Sequence, residues 1–177
     1  MMQPGDEEEL LLTGRIFRVV RTWTEGSDGN KHVREIIRHP GAVVILPRLS
    51  DGSVVLIRNY RTAVGRRVIE LPAGTLEPGE EPLVAAHREL AEETGYRARS
   101  MQRLTAFFSS PGILDEKMHL FLATDLDPGA TDLQVDERIE PLVVPWQEAV
   151  AMVRDGRIED AKTQIGLLYA ELYCPPT

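Results

Sequence analysis

Apolar and polar positions along the chain fall into short runs separated by turn-forming clusters. Residues 15–23 space Ile16 and Val20 among polar neighbours, as a half-buried strand does. Ser27-Asp28-Gly29-Asn30 is a turn signal, and residues 31–38 read as the returning strand. The unbroken apolar run at 42–46 predicts a buried strand. A second turn at Ser50-Asp51-Gly52-Ser53 leads to a strand at 54–60, so the pattern predicts two consecutive hairpins. Residues 67–71 form a short strand that runs into Pro72-Ala73-Gly74.

The period then changes. A helix is predicted over 82–94, with Pro82 in the first turn, where a missing N–H costs nothing. Gly95 supplies a left-handed cap at its end. Strands are expected at 104–108 and 118–124, a polar loop at 125–136, and a strand at 139–144. Helices follow at 146–155 and 161–173, with Asp160 as N-cap of the second. Strands first and helices interspersed predict an α+β fold or an α/β/α sandwich. The 177 residues suit one domain, 1–177, with its own core.

Composition narrows the classes. Hydrophobic content of 42% and charged content of 27% are ordinary for a globular protein. A net charge of −8 speaks against nucleic acid as partner, because phosphate backbones select basic surfaces. It is equally what solubility alone would select. The single cysteine, Cys174, can form no intrachain disulfide, so a reducing cytoplasm is the expected location. The first residues are acidic, with a very short apolar run, and read as neither signal peptide nor membrane span.

The helix at 82–94 carries the candidate chemistry. Arg88, Glu89, Glu92 and Glu93 fall within six positions. Glu89 and Glu93 are i and i+4 and stack on one face, with Glu92 at its border. Leu83, Ala86 and Leu90 are expected to form the apolar stripe opposite. Like charges so spaced repel, and a hard cation relieves the repulsion, since Mg²⁺ takes oxygen ligands at about 2.0–2.1 Å. A solvated acidic face with Arg88 as counter-ion is the plainer reading of the cluster alone. The flanking residues favour the metal. Gly74, then Glu80, then Arg88-Glu89-Leu90-Ala91-Glu92-Glu93-Thr94-Gly95-Tyr96 satisfy G-x5-E-x7-R-E-U-x-E-E-x-G-U, where U is bulky and apolar. That pattern fixes nine positions over 23 residues.

The pattern is the Nudix box, and the chain resembles Nudix hydrolases, which cleave a nucleoside diphosphate linked to a further moiety. The resemblance implies a Nudix-type α/β/α sandwich of mixed sheets, with an N-terminal antiparallel strand region. It implies Mg²⁺ (or Mn²⁺) held chiefly by Glu89 and Glu93, with Glu92 secondary and the Ala73 carbonyl as backbone ligand. Glu80 and Arg88 would orient those ligands. The metal would neutralise pyrophosphate charge and acidify an attacking water.

Weaker signals outside the box are similar to the ADP-ribose pyrophosphatase subgroup. They are Pro111, sixteen residues past Gly95; Arg58-Asn59-Tyr60-Arg61; Ile69-Glu70-Leu71-Pro72-Ala73-Gly74; and Gly156-Arg157-Ile158 with Asp160-Ala161-Lys162-Thr163. On that resemblance Arg61 pairs with substrate phosphate, Arg38 lies near the nucleotide, and Glu70 accepts hydrogen bonds from ribose or base. Trp23 stacks on the base or serves a core or interface. Many relatives carry an aromatic residue where this chain has Ile69, which leaves the base open. The loop before the last strand offers Asp132, Asp136, Glu137 and Glu140. Glu137 aligns best with the subgroup's water-activating glutamate, on a loop that could close over the substrate. The expected reaction is hydrolysis of ADP-ribose to AMP and ribose 5-phosphate. The alternatives are another nucleotide sugar, GDP-mannose or ADP-glucose, and a catalytically silent nucleotide-binding module. Relatives of this type are usually homodimers, with residues 1–40 packed or exchanged across the interface and Trp23 and Arg38 serving the partner's site.

Overall fold

The computed structural model describes residues 8–135 and 137–176. In chain order the elements are β1 (Glu9–Thr13), β2 (Arg18–Glu25), β3 (Lys31–Arg38), β4 (Ala42–Pro47), β5 (Val54–Arg61), β6 (Arg66–Glu70) and β7 (Ala73–Thr75). Then come α1 (Pro82–Thr94), β8 (Arg97–Phe108), β9 (Lys117–Asp127), β10 (Ile139–Val144), α2 (Trp146–Arg154) and α3 (Ala161–Tyr173).

The strands make an N-terminal antiparallel sheet β1-β2-β3, a sheet β10-β5-β6, and a mixed sheet β7-β4-β9-β8 in which β4 and β9 run parallel. The predicted β2–β3 hairpin is present, closed by a turn in which Asp28 accepts the Asn30 N–H and Gly29 adopts φ 75°. The second predicted hairpin is not. The turn at 50–53 is there, but β4 and β5 share only an isolated bridge between Arg48 and Val54 and then part into different sheets. Both edges of β4 are taken, by β7 and β9, so β5 pairs with β6 and β10 instead.

Strand β4 explains the layering. All six of its residues are buried. Alternate side chains leave opposite faces. Val43 and Ile45 meet Ala85, Ala86 and Leu90 of α1. Ala42, Val44 and Leu46 meet Leu71, Leu120 and Leu167 in the larger core shared with α2 and α3. The middle sheet is thus covered on both faces, the α+β sandwich expected. Gly166 lets α3 sit close on this core, since a Cβ there would come within 2.5 Å of Leu71 Cδ1.

Helix α1 has the predicted bounds. Gly95, at φ 78°, donates its N–H to the Ala91 carbonyl and ends it. Its inward face differs from the expected stripe. Ala86 and Leu90 are buried, but Leu83 is 47% exposed, and Ala85, Glu89, Glu93 and Thr94 complete the inward face. Two charged residues are therefore taken into the fold. Strands β8 and β9 are longer than predicted, and residues 125–127, expected in a loop, finish β9. Among the described residues, no helix is long and apolar enough to cross a membrane.

Candidate active site

The Glu89 carboxylate of α1 reaches the fold's interior because Gly74 in β7 has no side chain to stop it. A Cβ on Gly74 would overlap the Glu89 carboxylate. One turn on, Glu93 Oε2 accepts the Ala73 N–H at 2.9 Å. Glu89 is 8% exposed and Glu93 3%. Burial drives the Glu93 pKa up to about 8; the Ala73 N–H opposes this, while Glu89 and Glu137 add repulsion. Burial also raises Glu89, against the pull of Arg88 and with repulsion from Glu92 and Glu137.

Arg88 is the hub of the cluster. Its Nε and Nη2 donate to the two oxygens of Glu80, each at 2.9 Å, and Nη1 donates to Glu89 at 2.7 Å and Glu92 at 3.2 Å. Glu80 also accepts the Glu77 N–H at 3.0 Å, which fixes the loop before the helix. The Glu80 hydrogen bond raises the Arg88 pKa further, and Arg88 lowers that of Glu80.

The donor set suits a hard divalent cation. It consists of oxygens, from two nearly buried carboxylates whose charges repel and are poorly solvated. Among the described residues, no three acidic, histidine or cysteine side chains converge on one point; Glu89 and Glu92 accept from Arg88, and Glu93 accepts the Ala73 N–H.

These groups open onto a cleft of about 880 Å³. Of the sequence-predicted site residues, Ala73, Arg88, Glu89, Glu93, Arg38, Arg61 and Glu137 all line it. Arg38 is held by Glu8 and, at 3.1 Å, by Asp115. Asp115 also accepts the His39 N–H, so the end of β3 is fixed at the rim. Glu137 Oε2 accepts the Gln134 N–H at 2.8 Å. Its loop is pinned on both sides: Asp132 N–H donates to the Glu92 carbonyl, and Tyr60 N–H donates to the Arg138 carbonyl.

Three predicted residues do not line the cleft. Glu92 is half-buried and tied to Arg88. Trp23 sits in β2, opposite Val33 on its own hairpin. Glu70 is 1% exposed, and its oxygens are engaged by Arg61 and Lys162. Here Glu70 is an internal anchor for Arg61, because a carboxylate at that depth requires charged partners. Of the other loop acids, Glu140 is ion-paired with Arg67, Asp132 is exposed, and Asp136 lies outside the described residues.

Sequence reasoning missed the cleft's outer wall. Residues 13–18, between β1 and β2, line it with Arg15, Ile16, Phe17 and Arg18, as do Asn59 and Tyr60. Strand β1, which leads into this wall, is not predicted by the pattern, and the continuous Leu10–Leu12 run is its signal.

A mixed sheet carrying this loop, helix and carboxylate cleft defines a Nudix-type fold. The NUDIX domain family model matches residues 37–164, and the chain belongs to that family as a Nudix hydrolase. It is 37% identical over 167 residues to an ADP-ribose pyrophosphatase of Bacillus subtilis (strain 168), covering 93% of this chain and 90% of the relative. It is 38% identical over 152 residues to a GDP-mannose pyrophosphatase of Cronobacter sakazakii, covering 80% of this chain and 79% of the relative. A crystal structure of an ADP compounds hydrolase superposes with a TM-score of 0.82 at 26% identity, covering 94% of this chain and 91% of that one.

Proposed function

We propose that this Nudix hydrolase cleaves the pyrophosphate bond of ADP-ribose, giving AMP and ribose 5-phosphate, with Mg²⁺ as cofactor and Mn²⁺ as a possible substitute. The observation that carries the reading is one cleft with carboxylates at Glu89, Glu93 and Glu137 and guanidinium groups at Arg38 and Arg61. Such a cleft suits a diphosphate and a divalent cation together. The ADP-ribose pyrophosphatase relative, alignable over most of both chains, supports the substrate.

Each residue has a role in this reading. Glu89, Glu93 and the Ala73 carbonyl would hold the cation, with Glu92 as a further carboxylate. When bound, it would neutralise phosphate charge and acidify a water. Arg88, bonded to Glu80, Glu89 and Glu92, keeps the carboxylates apart and oriented. Glu137 accepts the water's proton as the base. Arg61 and Arg38 bind and orient the diphosphate and nucleotide.

A second reading, GDP-mannose or another nucleotide sugar such as ADP-glucose, is supported by the GDP-mannose pyrophosphatase relative. Chromatography of the products from ADP-ribose, with Mg²⁺ and with chelator, tests the first reading. AMP formed only with metal supports it; intact ADP-ribose in both overturns it.

The enzyme in this reading is a single domain working as a cytoplasmic homodimer. The sheet β1-β2-β3 supports the dimer, exposing Leu10, Leu12 and Val33 by 56, 51 and 48%. Trp23, on the same sheet, would then serve the interface or the partner's site. Light scattering at dilution checks this: a mass of twice the 19.8 kDa chain is expected, and a monomer contradicts it.

A further inference from the structure

Behind Arg61 lies a chain of buried charges to which the reaction above gives no part. Arg61 directs Nε and Nη2 to the two oxygens of Glu70, at 2.8 and 2.6 Å. Lys162, in the first turn of α3, donates to Glu70 Oε2 at 2.5 Å and to Asp160 Oδ1 at 2.9 Å. Asp160 Oδ2 accepts the Thr163 N–H and hydroxyl, and the Thr163 oxygen accepts the Leu71 N–H at 2.7 Å. Glu70 is 1% exposed, Thr163 0% and Lys162 8%. The network joins the start of α3 to the β6–β7 segment, which continues to Ala73 and Gly74.

Its charges balance. Glu70 and Asp160 are negative; Arg61 and Lys162 are positive. Burial by itself would push the Glu70 pKa up, but Arg61 and Lys162 hold it below the ordinary glutamate value. Without Lys162, Arg61 would face both carboxylates alone, and this group of side chains behind the cleft would become net negative. A diphosphate approaching Arg61 would then meet a weaker attraction. With Lys162 in place, Glu70 shares its charge between two cations. Arg61, whose side chain is 43% exposed, has no hydrogen bond on Nη1 among the described residues.

We infer that Lys162 is a positioning residue for the diphosphate: by neutralising Glu70 and tying it to α3, it leaves the Arg61 charge and Nη1 edge available to substrate phosphate. The inference rests on the reading above that Arg61 meets that phosphate. Lys162 itself does not line the cleft, so it acts only through Glu70 and Arg61.

The test uses full-length enzyme, saturating Mg²⁺ and whichever of ADP-ribose, GDP-mannose and ADP-glucose it hydrolyses best. Lys162→Met should raise KM about tenfold with kcat within about threefold, because uniform binding is lost. Lys162→Arg should bring KM back to within about threefold of wild type, since the charge returns. In an Arg61→Gln background, Lys162→Met should change KM by less than about twofold, as coupled residues are not additive. A wild-type KM in Lys162→Met, or an equal effect in both backgrounds, overturns the inference. Should Lys162→Met fail to fold, Glu70→Gln with Lys162→Met removes one charge of each sign. That pair should keep KM within about threefold of wild type, and a KM raised tenfold or more overturns the balance argument. A wild-type KM in Arg61→Gln alone instead overturns the phosphate reading on which the inference stands.

Discussion

The carboxylate of Glu89 occupies the space that a side chain on Gly74 would fill. A helix residue and a strand residue fifteen positions apart are thereby fitted to each other. Gly74→Ala should push Glu89 off β7 and lower kcat/KM by about a hundredfold, while costing about 1–3 kcal/mol of stability from overpacking. Steady-state kinetics with urea unfolding check this. Wild-type kcat/KM would mean that the close approach does not matter to the reaction.

Glu93 supplies the companion test. Glu93→Gln keeps an oxygen to accept the Ala73 N–H, so the fold should persist. It removes a charged ligand, so most turnover should be lost. A ligand at a hundred times its Kd stabilises by about 2.7 kcal/mol. Mg²⁺ should therefore raise the Tm of wild type and not that of the variant. Undiminished activity at saturating Mg²⁺ would argue against these carboxylates as the metal site.

Glu137 is held by one hydrogen bond from the Gln134 N–H, which a glutamine can also accept. Glu137→Gln should leave Tm within a degree or two and KM little changed. As the base, its loss should lower kcat by about 10²–10⁴-fold. A wild-type kcat would remove Glu137 from the mechanism.

Glu70 sets an acid dependence of stability. Its folded-state pKa lies below its ordinary value, so its ionised form contributes stability above about pH 4.3. That contribution is lost as pH falls through the depressed folded value. Glu70→Gln leaves Arg61 and Lys162 without their shared anion, which should cost about 3–5 kcal/mol near neutral pH. In urea unfolding, the gap between wild type and variant should narrow toward pH 3. A gap that stays constant would contradict the ion-pair account.

What was legible in the sequence was local. The Gly74–Tyr96 pattern lies in one continuous stretch, and the bounds of α1, the αL cap at Gly95 and the Asp160 cap each depend on neighbours within a few positions. What was not legible depends on distant partners. β7 has three residues and exists because β4 pairs with it. The parting of β4 and β5 is decided by β9 and β10, far along the chain. Leu83 fits a helical stripe by spacing but falls outside the contact with β4. The pairing of Glu70 with Lys162, 92 residues away, could not be read from either neighbourhood.

In the proposed function, the acidic and basic residues lining one cleft together serve ADP-ribose. The most direct measurement is kcat/KM for ADP-ribose, GDP-mannose and ADP-glucose under saturating Mg²⁺, with products identified. The highest value is expected for ADP-ribose, with AMP and ribose 5-phosphate as products. A higher kcat/KM for GDP-mannose, or binding of ADP-ribose without turnover, would contradict it.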